Sequence, residues 1–336
     1  MAGMPHLHPD HWVPSPRAPR HEPRAAGRVE PPLWGLVGET PLLPLDMDHR
    51  RPWGGAELWL KAEWLNPGGS VKDRPAREIL REALASGVLP GRRLLDASSG
   101  NTAIAYAMLG AAAGIGVTVC VPGNASLERK VLLRAYGAEL IETDALEGSD
   151  GAILRARALA AERPDRLWYA DQYNNPANPG AHEATTGPEL WRQTGGRITH
   201  LVAGVGTSGT LMGAGRFLKE RRPDVRLVGV QPDSPFHGLE GLKHMETAIV
   251  PKIYDAARVD RTEHVATERA EEAVRWLVHE RGLFVGWSTG AALAAAERVI
   301  EETSPAARRD LVIVVIAPDG GQRYLSERER LERRER

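Results

Sequence analysis

A lysine that directly follows a glycine-rich turn is the group in this sequence best suited to covalent chemistry. The turn covers residues 66–72, which read NPGGSVK, and Lys72 stands just before a helical pattern. A lysine amine attacks an aldehyde when burial and nearby cationic or dipolar groups keep it partly neutral. A solvated lysine beside a turn would show the same pattern, so this segment alone leaves both interpretations open.

Two further turns carry small hydroxyl residues and glycine between a strand pattern and a helix pattern. They cover residues 98–102 (SSGNT) and 204–210 (GVGTSGT). Backbone N–H groups at a helix N-terminus, together with hydroxyl groups, bind anions. We therefore expect a substrate carboxylate at the first turn and a phosphate at the second. Helix capping alone would also account for the hydroxyls of the first turn.

The 204–210 turn differs from the common nucleotide-binding loops. Its glycines meet the dinucleotide pattern only loosely, and Gln231 stands after the next strand pattern where an acidic residue would hold a ribose. No Gly-Lys-Ser/Thr follows the glycines, which excludes a P-loop. A fourth segment, residues 286–290 (GWSTG), places Ser288 at a helix start. This hydroxyl either caps the helix or faces a ring nitrogen of a cofactor, and the local pattern alone favours capping.

Short apolar runs alternate with longer stretches of helical period from residue 58 onward. This alternation is typical of an α/β protein with mainly parallel sheets, in which ligands bind at strand ends and helix starts. Strands are predicted at residues 58–61, 93–97, 117–121, 139–143, 198–205, 226–230 and 311–317. Helices are predicted at residues 73–85, 102–113, 127–136, 151–162, 210–220, 268–281 and 291–302.

Turn-forming residues at 174–180 (NNPANPG) divide the strand patterns into two groups. We therefore place a domain junction there, between a smaller domain at residues 58–175 and a larger domain that combines residues 31–57 and 176–326. The proline-rich residues 1–30 are predicted to form a disordered arm, and the charged residues 327–336 a solvated tail.

Charge balance and cysteine content exclude several classes of function. Lys and Arg total 43 against 44 Asp and Glu, so the net charge of -1 gives no pull toward nucleic acid or an anionic membrane. The single cysteine, Cys120, lies in a buried strand pattern and forms no internal disulfide. The arm histidines lack Cys or carboxylate partners, so we expect no metal site. Since neither a membrane span nor a signal peptide is visible, we expect a cytoplasmic protein that acts on small molecules.

Taken together, in this order and spacing, the segments resemble the cysteine synthases of the B type, in the β-family (fold type II) of pyridoxal-phosphate enzymes. The resemblance covers about residues 33–326. It also includes residues 37–42 (VGETPL), 171–179 (DQYNNPANP), 185–189 (TTGPE) and 318–326 (PDGGQRYLS). It implies a homodimer of two-domain chains, in which each domain is a mainly parallel twisted sheet flanked by helices. The smaller domain would be mobile and bind the substrate, and the larger domain would bind the cofactor.

Carried over to this sequence, the resemblance implies pyridoxal 5'-phosphate as the cofactor and Lys72 as its Schiff-base lysine. Asn101 would contact the 3′ oxygen of the cofactor, and Ser288 would face its pyridine nitrogen. The cofactor phosphate would be held by Gly206, Thr207, Ser208, Gly209 and Thr210. The α-carboxylate of the substrate would be held by Ser98, Ser99, Thr102 and Gln172.

The implied activity is a β-replacement that makes L-cysteine from O-acetylserine or O-phosphoserine and a sulfide donor, through an aminoacrylate intermediate. Lys72 would also serve as general base at Cα. Closing of the 98–102 turn over the substrate would exclude water. Lys243 lies where phosphoserine-using relatives place an arginine, which makes it a candidate ligand for a phosphate leaving group. A solvated loop lysine is the alternative interpretation of Lys243.

Two other functions remain open within this resemblance. Cystathionine β-synthase uses homocysteine as the thiol, but no regulatory domain is visible in the chain and its arm has no cysteine for a haem. A catalytically silent binding scaffold would keep the fold without the chemistry, and the intact Lys72, Asn101, Thr207 and Ser288 argue against it. Serine and threonine dehydratases have a different lysine segment.

Overall fold

The computed structural model describes residues 30–45, 53–98 and 100–327. Its strands are β1 Leu42–Pro44, β2 Glu57–Ala62, β3 Arg93–Ala97, β4 Val117–Pro122, β5 Glu139–Thr143, β6 Leu167–Tyr169, β7 His200–Gly204, β8 Arg226–Pro232, β9 Arg261–Val265 and β10 Val312–Ala317. They form a six-stranded sheet of order β1-β2-β10-β7-β8-β9 and a four-stranded sheet of order β5-β4-β3-β6. All neighbouring strands in these sheets are parallel except β1 and β2.

Helices cover both sheets. They are α1 Asp73–Ala85, α2 Asn101–Ala113, α3 Leu127–Ala135, α4 Gly148–Glu162, α5 Ala177–Ala181, α6 Gly187–Gln193, α7 Gly209–Arg221, α8 Thr267–Arg281 and α9 Trp287–Glu302, with a π-helical turn at His182–Thr186. Every residue of β4 and of β10 is buried, as expected for central strands of parallel sheets with helices on both faces. None of the described helices is long and apolar enough to cross a membrane.

The predicted α/β class is confirmed, and each strand and helix expected from the sequence is present. The bounds of α1, β3 and β5 agree with the sequence patterns at both ends. Three strands were missed: β1, β6 and β9. The helical stretch from α5 to α6 was missed as well, because its prolines and glycine suggested a loop.

Strand β2 belongs to the six-stranded sheet. The sequence pattern assigned residues 58–61 to the smaller domain, yet β2 pairs in parallel with β10 along its whole length, in the six-stranded sheet. An apolar run shows that a strand is buried but not which neighbour it pairs with. The predicted arm lies outside the described residues apart from Glu30, and so does the predicted tail apart from Glu327.

A buried ionic cluster fixes the segment that carries Lys72. Arg74, which is fully buried, donates from Nε to Glu63 at 2.7 Å and from Nη1 to Glu189 at 2.7 Å. Lys61 Nζ donates to the other oxygen of Glu189 at 2.6 Å. These contacts tie β2 and the start of α1 to α6. A buried arginine with two carboxylate partners is held rigidly, which limits movement of Lys72 two residues earlier.

Candidate active site

A single pocket between the two sheets gathers most of the residues that the sequence singled out. It lies at the carboxyl ends of β7 and β10. Its lining includes Val71, Lys72, Asn101, Ala203, Gly204, Gly206, Thr207, Ser208, Thr210, Glu240, Gly241, Leu242, Ser288, Ile316, Pro318 and Asp319. Segments as distant as residues 71 and 319 therefore meet at one place, as the strand-end rule for parallel sheets requires.

Lys72 immediately precedes α1, and its side chain lines the pocket. Its amine donates no hydrogen bond to any of the described residues. Burial lowers the pKa of this amine, and the negative charges of Asp319 and Glu63 oppose that shift. A lysine with a lowered pKa is more often neutral near pH 7, which is the state needed for attack on an aldehyde.

Residues 206–210 form a tight cradle at the N-terminus of α7. Ser208 adopts the left-handed conformation with φ of 73°, which is uncommon for a residue other than glycine and typical of strained functional turns. A Cβ on Gly206 would meet the Gly241 carbonyl oxygen at 2.1 Å, so only glycine allows this close approach. The Ser208 hydroxyl is buried without a hydrogen-bond partner among the described residues. These features suit an anion held by backbone N–H groups and hydroxyls.

Asn101 and Ser288 both line this pocket. Asn101 begins α2, and its Oδ1 is buried without a hydrogen-bond partner in the described part of the chain. Ser288 is 4% exposed and is the second residue of α9, whose N-cap is Gly286. Because the cap position belongs to Gly286, the structure removes the simple capping interpretation of Ser288. The Asn101 Oδ1 atom and the Ser288 side chain are therefore placed to contact a polar ring in the pocket.

The predicted carboxylate-binding residues that the structure describes are not part of the pocket lining, and two of them, Thr102 and Gln172, are joined by a hydrogen bond. Thr102 Oγ1 donates to Gln172 Oε1 at 2.7 Å, and Gln172 Nε2 donates to the Ala97 carbonyl oxygen at 2.8 Å. Ser98 Oγ accepts from the N–H of Gly100 at 3.2 Å, which organises the start of α2. Ser99 lies outside the described residues. Thr102 and Gln172 are therefore adjacent, as a shared ligand would require.

Lys243 is placed differently from what its predicted role requires. Its Nζ donates to Asp150 Oδ1 at 2.9 Å and lies 5.1 Å from the ring centroid of Tyr173, both on the side of the four-stranded sheet. It does not belong to the pocket lining, although Gly241 and Leu242 do. The ion pair already compensates its charge, so a phosphate in the pocket would have to compete with Asp150.

Asp319 is a pocket residue that the sequence analysis did not single out. It is 1% exposed, and its Oδ2 accepts hydrogen bonds from Asn101 Nδ2 at 2.6 Å and from the Tyr324 hydroxyl at 2.7 Å. The sequence contained a signal for Asp319, because it directly follows the apolar run of β10 and polar residues at the carboxyl ends of parallel strands tend to face ligands.

Cys120 is unsuited to act as a nucleophile. Burial raises the pKa of its thiol to about 12, which leaves it unreactive.

Comparisons with known proteins identify the family of this chain. The profile of the family described as pyridoxal-phosphate dependent enzyme matches residues 33–319. A cysteine synthase of Aquifex aeolicus is 50% identical over 298 residues, which cover 87% of this chain and 89% of that protein. The chain belongs to the pyridoxal-phosphate-dependent enzymes, among the cysteine synthases.

Two further relatives support this membership. Cysteine synthase B of Escherichia coli is 43% identical over 291 residues, covering 86% of this chain and 93% of that protein. The crystal structure of a cysteine synthase from Entamoeba histolytica superposes with a TM-score of 0.84 at 33% identity, covering 93% of this chain and 94% of that one. The cofactor of the family is pyridoxal phosphate, and the cradle, the unpaired Ser208 and Asn101 atoms and the unbonded Lys72 amine fit such a group.

Proposed function

We propose that this enzyme makes L-cysteine by β-replacement on an O-activated serine, with Lys72 as the residue that holds the cofactor and moves the Cα proton. The observation that carries the proposal is one pocket that combines Lys72, Asn101, Ser288 and the 206–210 cradle. An aldehyde cofactor with a phosphate and a ring nitrogen needs each of these groups. Sulfide is the proposed donor of sulfur.

Each pocket residue has a distinct task in this proposal. The cradle would bind the phosphate through N–H groups at the start of α7. Asn101 would orient the cofactor ring, and Ser288 would hydrogen-bond to its nitrogen. When bound, the cofactor supplies the electron sink that makes the Cα proton of the amino acid acidic. Lys72 Nζ, with its lowered pKa, would accept that proton and return it at the end of the cycle.

The 98–102 turn would hold the substrate α-carboxylate. The backbone N–H groups at the start of α2 and the Thr102 hydroxyl are donors of the kind that bind carboxylates. Thr102 now donates to Gln172, whose Nε2 is fixed by Ala97. A bound carboxylate would take the Thr102 hydrogen in place of Gln172, so substrate binding would rearrange this group. That rearrangement would support closure of the smaller, mobile domain that we propose.

A direct assay tests the proposed reaction. Protein loaded with pyridoxal phosphate is incubated with O-acetylserine or O-phosphoserine and sulfide, and L-cysteine is measured by mass spectrometry. A parallel reaction contains homocysteine in place of sulfide. We expect cysteine from at least one of the two serines, with little cystathionine. Cystathionine as the main product would support the alternative thiol, and absence of both products would contradict the proposal.

Substitution of Ser288 tests its proposed contact with the ring nitrogen. In Ser288→Ala we expect a shifted cofactor absorbance band and slower release of the β-substituent, because the nitrogen loses its hydrogen-bond partner. Ser288→Asp is expected to shift the band in the opposite direction, because a carboxylate favours the protonated ring. Thr289→Ala is the control, since Thr289 is buried, its hydroxyl has no hydrogen-bond partner among the described residues, and it does not line the pocket. Unchanged spectra in both Ser288 variants would contradict the assignment.

The choice of leaving group is tested at Lys243 and Asp150. If Lys243 assists a departing phosphate, Lys243→Ala should lower the kcat/KM for O-phosphoserine by about 10-fold relative to O-acetylserine. Asp150→Asn frees the lysine charge from its ion pair and should raise the kcat/KM for O-phosphoserine relative to that for O-acetylserine. General effects on folding or cofactor loading change the kcat/KM values for both substrates alike, so they cancel in the ratio of the two values. A ratio that is the same in both variants and in the wild type would exclude a role for Lys243.

We also propose that the enzyme is a homodimer located in the cytoplasm. Support for the dimer comes from the resemblance to the cysteine synthases, and light scattering of the purified protein measures it directly. The cytoplasmic location stays a prediction from the sequence.

A further inference from the structure

Asp319 lies between the two chain segments that carry the proposed cofactor ligands. On one side, the Val71 N–H donates to the Pro318 carbonyl oxygen at 2.8 Å, and Ser70 forms a β-bridge with Asp319. On the other side, the Gly286 N–H donates to the Asp319 carbonyl oxygen at 3.1 Å. The backbone of Asp319 is thus fixed against both the lysine turn and the start of α9.

The Asp319 side chain makes a contact between the two sheets. Its Oδ2 accepts from Asn101 Nδ2, and Asn101 starts the helix that follows β3 of the four-stranded sheet, whereas Asp319 follows β10 of the six-stranded sheet. The Tyr324 hydroxyl donates to the same oxygen. A Cβ on Gly286 would meet Oδ1 at 2.1 Å, so the absence of a side chain at Gly286 leaves the space that the carboxylate occupies.

This carboxylate is costly for the fold. It is buried, its Oδ1 has no hydrogen-bond partner, and it forms no ion pair with the described residues. Burying a carboxylate without an ion-pair partner and with one oxygen unpaired destabilises a protein, so such a group calls for a specific explanation. The Lys72 amine and the Arg129 guanidinium both lie within its electrostatic influence. Of these two cations, only Lys72 lines the pocket.

We propose that Asp319 is a positioning residue of the cofactor site, which fixes the amide of Asn101 and places a negative charge near the Lys72 amine. The proposal rests on the proposed function for the roles of Asn101 and Lys72. A carboxylate accepts hydrogen bonds and donates none, so the Nδ2 edge of Asn101 has to face Asp319. The unpaired Oδ1 and the second Nδ2 hydrogen of Asn101 then have set directions.

A second consequence concerns the proton on Lys72. The Asp319 charge stabilises the ammonium form and so opposes the effect of burial. Asp319 would therefore keep the free lysine able to retain a proton that it takes from the substrate. Glu63 is the other acid that acts on Lys72 in this direction, and it is already paired with Arg74. Burial lowers the pKa of the nearby His182 to about 3, so this histidine stays neutral.

The first experiment measures covalent attachment to Lys72 as a function of pH. Apoprotein is mixed with pyridoxal phosphate at a series of pH values, the adduct is reduced with borohydride, and labelled Lys72 is quantified by peptide mass spectrometry. Attachment needs the neutral amine, and it forms one C=N bond with loss of one water. In Asp319→Asn the half-maximal pH should be lower than in the wild type by about one unit or more.

The matched control is Glu297→Gln, which also neutralises one buried carboxylate. Glu297 lies in α9, is paired with Arg269 and does not line the pocket. In Glu297→Gln, the pH profile of attachment to Lys72 should therefore equal that of the wild type. Burial raises the pKa of Asp73 to about 7. Because Asp73 is present in every variant, the comparison uses the difference in half-maximal pH between variants. Thermal unfolding of each apoprotein verifies that the variants are folded.

The second experiment tests whether Asp319 acts through Asn101. Asp319→Ala is expected to weaken the binding of pyridoxal phosphate by about 10-fold, measured by absorbance titration of apoprotein. In an Asn101→Ala background the same substitution should weaken it by about 3-fold or less, because the residue that it orients is gone. Additive losses would overturn the proposal.

The outcomes separate this inference from the proposed function. If the wild type shows no labelled Lys72 at any pH, the proposed function fails at its first step. If the wild type is labelled at Lys72 and Asp319→Asn has the same pH profile, the proposed function stands and the role of Asp319 is wrong.

Discussion

Replacement of Lys72 by alanine should lower cysteine formation by ~1000-fold or more and remove the absorbance band of covalently held cofactor. Two tasks are lost together, because the same amine holds the cofactor and moves the Cα proton. The 206–210 cradle remains, so the variant should still bind pyridoxal phosphate without a covalent bond. Turnover is measured by the release of cysteine, and attachment by mass spectrometry after reduction with borohydride.

The matched control for this variant is Lys252→Ala. Lys252 is exposed and lies outside the pocket lining, so this change should leave turnover and the cofactor band as in the wild type. A borohydride-reducible adduct at the wild-type level in Lys72→Ala would show that another lysine holds the cofactor. The pocket contains no second lysine among the described residues that line it, so such a result would also contradict the proposed site.

Replacement of Arg74 by leucine should destabilise the fold by about 3–5 kcal/mol in the free energy of unfolding. The substitution leaves two buried carboxylates, Glu63 and Glu189, with Lys61 as the remaining cation of the buried cluster. Burial alone would raise the pKa of Glu189. The hydrogen bonds and charges of Arg74, and to a smaller extent those of Lys61, outweigh burial and hold this pKa at about 2. Loss of the arginine therefore forces a carboxylate of the cluster to take up a proton or leaves it as an uncompensated buried charge. Either outcome lowers the free energy of unfolding. Urea unfolding followed by circular dichroism measures the difference.

Arg192→Leu is the control for the Arg74 variant. Arg192 pairs with Glu39 on the surface, where both side chains are more than half exposed. Surface ion pairs contribute little, so this change should lower the free energy of unfolding by about 1 kcal/mol or less. Equal losses in the two variants would mean that the buried cluster contributes no more than a surface pair, contrary to our expectation.

Local patterns predicted the parts of the fold that depend on local forces. The bounds of α1 follow from its apolar period and from the glycine turn that precedes it, both visible within about a dozen residues. Strand β9 was missed because it reads RTEHV and lies at the edge of its sheet, where alternation and apolar content are weak. The start of α9 was placed four residues late because Gly286 and Gly290 read as loop.

Residue types and spacing also predicted most of the pocket lining, because strand ends of parallel sheets meet at one edge. Residue types and spacing did not predict which polar groups form hydrogen bonds or ion pairs across long sequence separations. Lys243 lies 93 residues from Asp150, and Asn101 lies 218 residues from Asp319. Neither separation leaves a periodic signal, so the neutralisation of Lys243 and the contact between Asn101 and Asp319 required the structure.

The place of β10 in the larger sheet has a consequence for the order in which the chain becomes structured during synthesis. Strand β10 lies between β2 and β7, so the sheet remains in two unconnected parts until residue 317 has left the ribosome. The four-stranded sheet needs only residues 93–169 and is complete much earlier. A nascent chain that stalls before residue 312 would expose the open edges of β2 and β7, which are templates for aggregation.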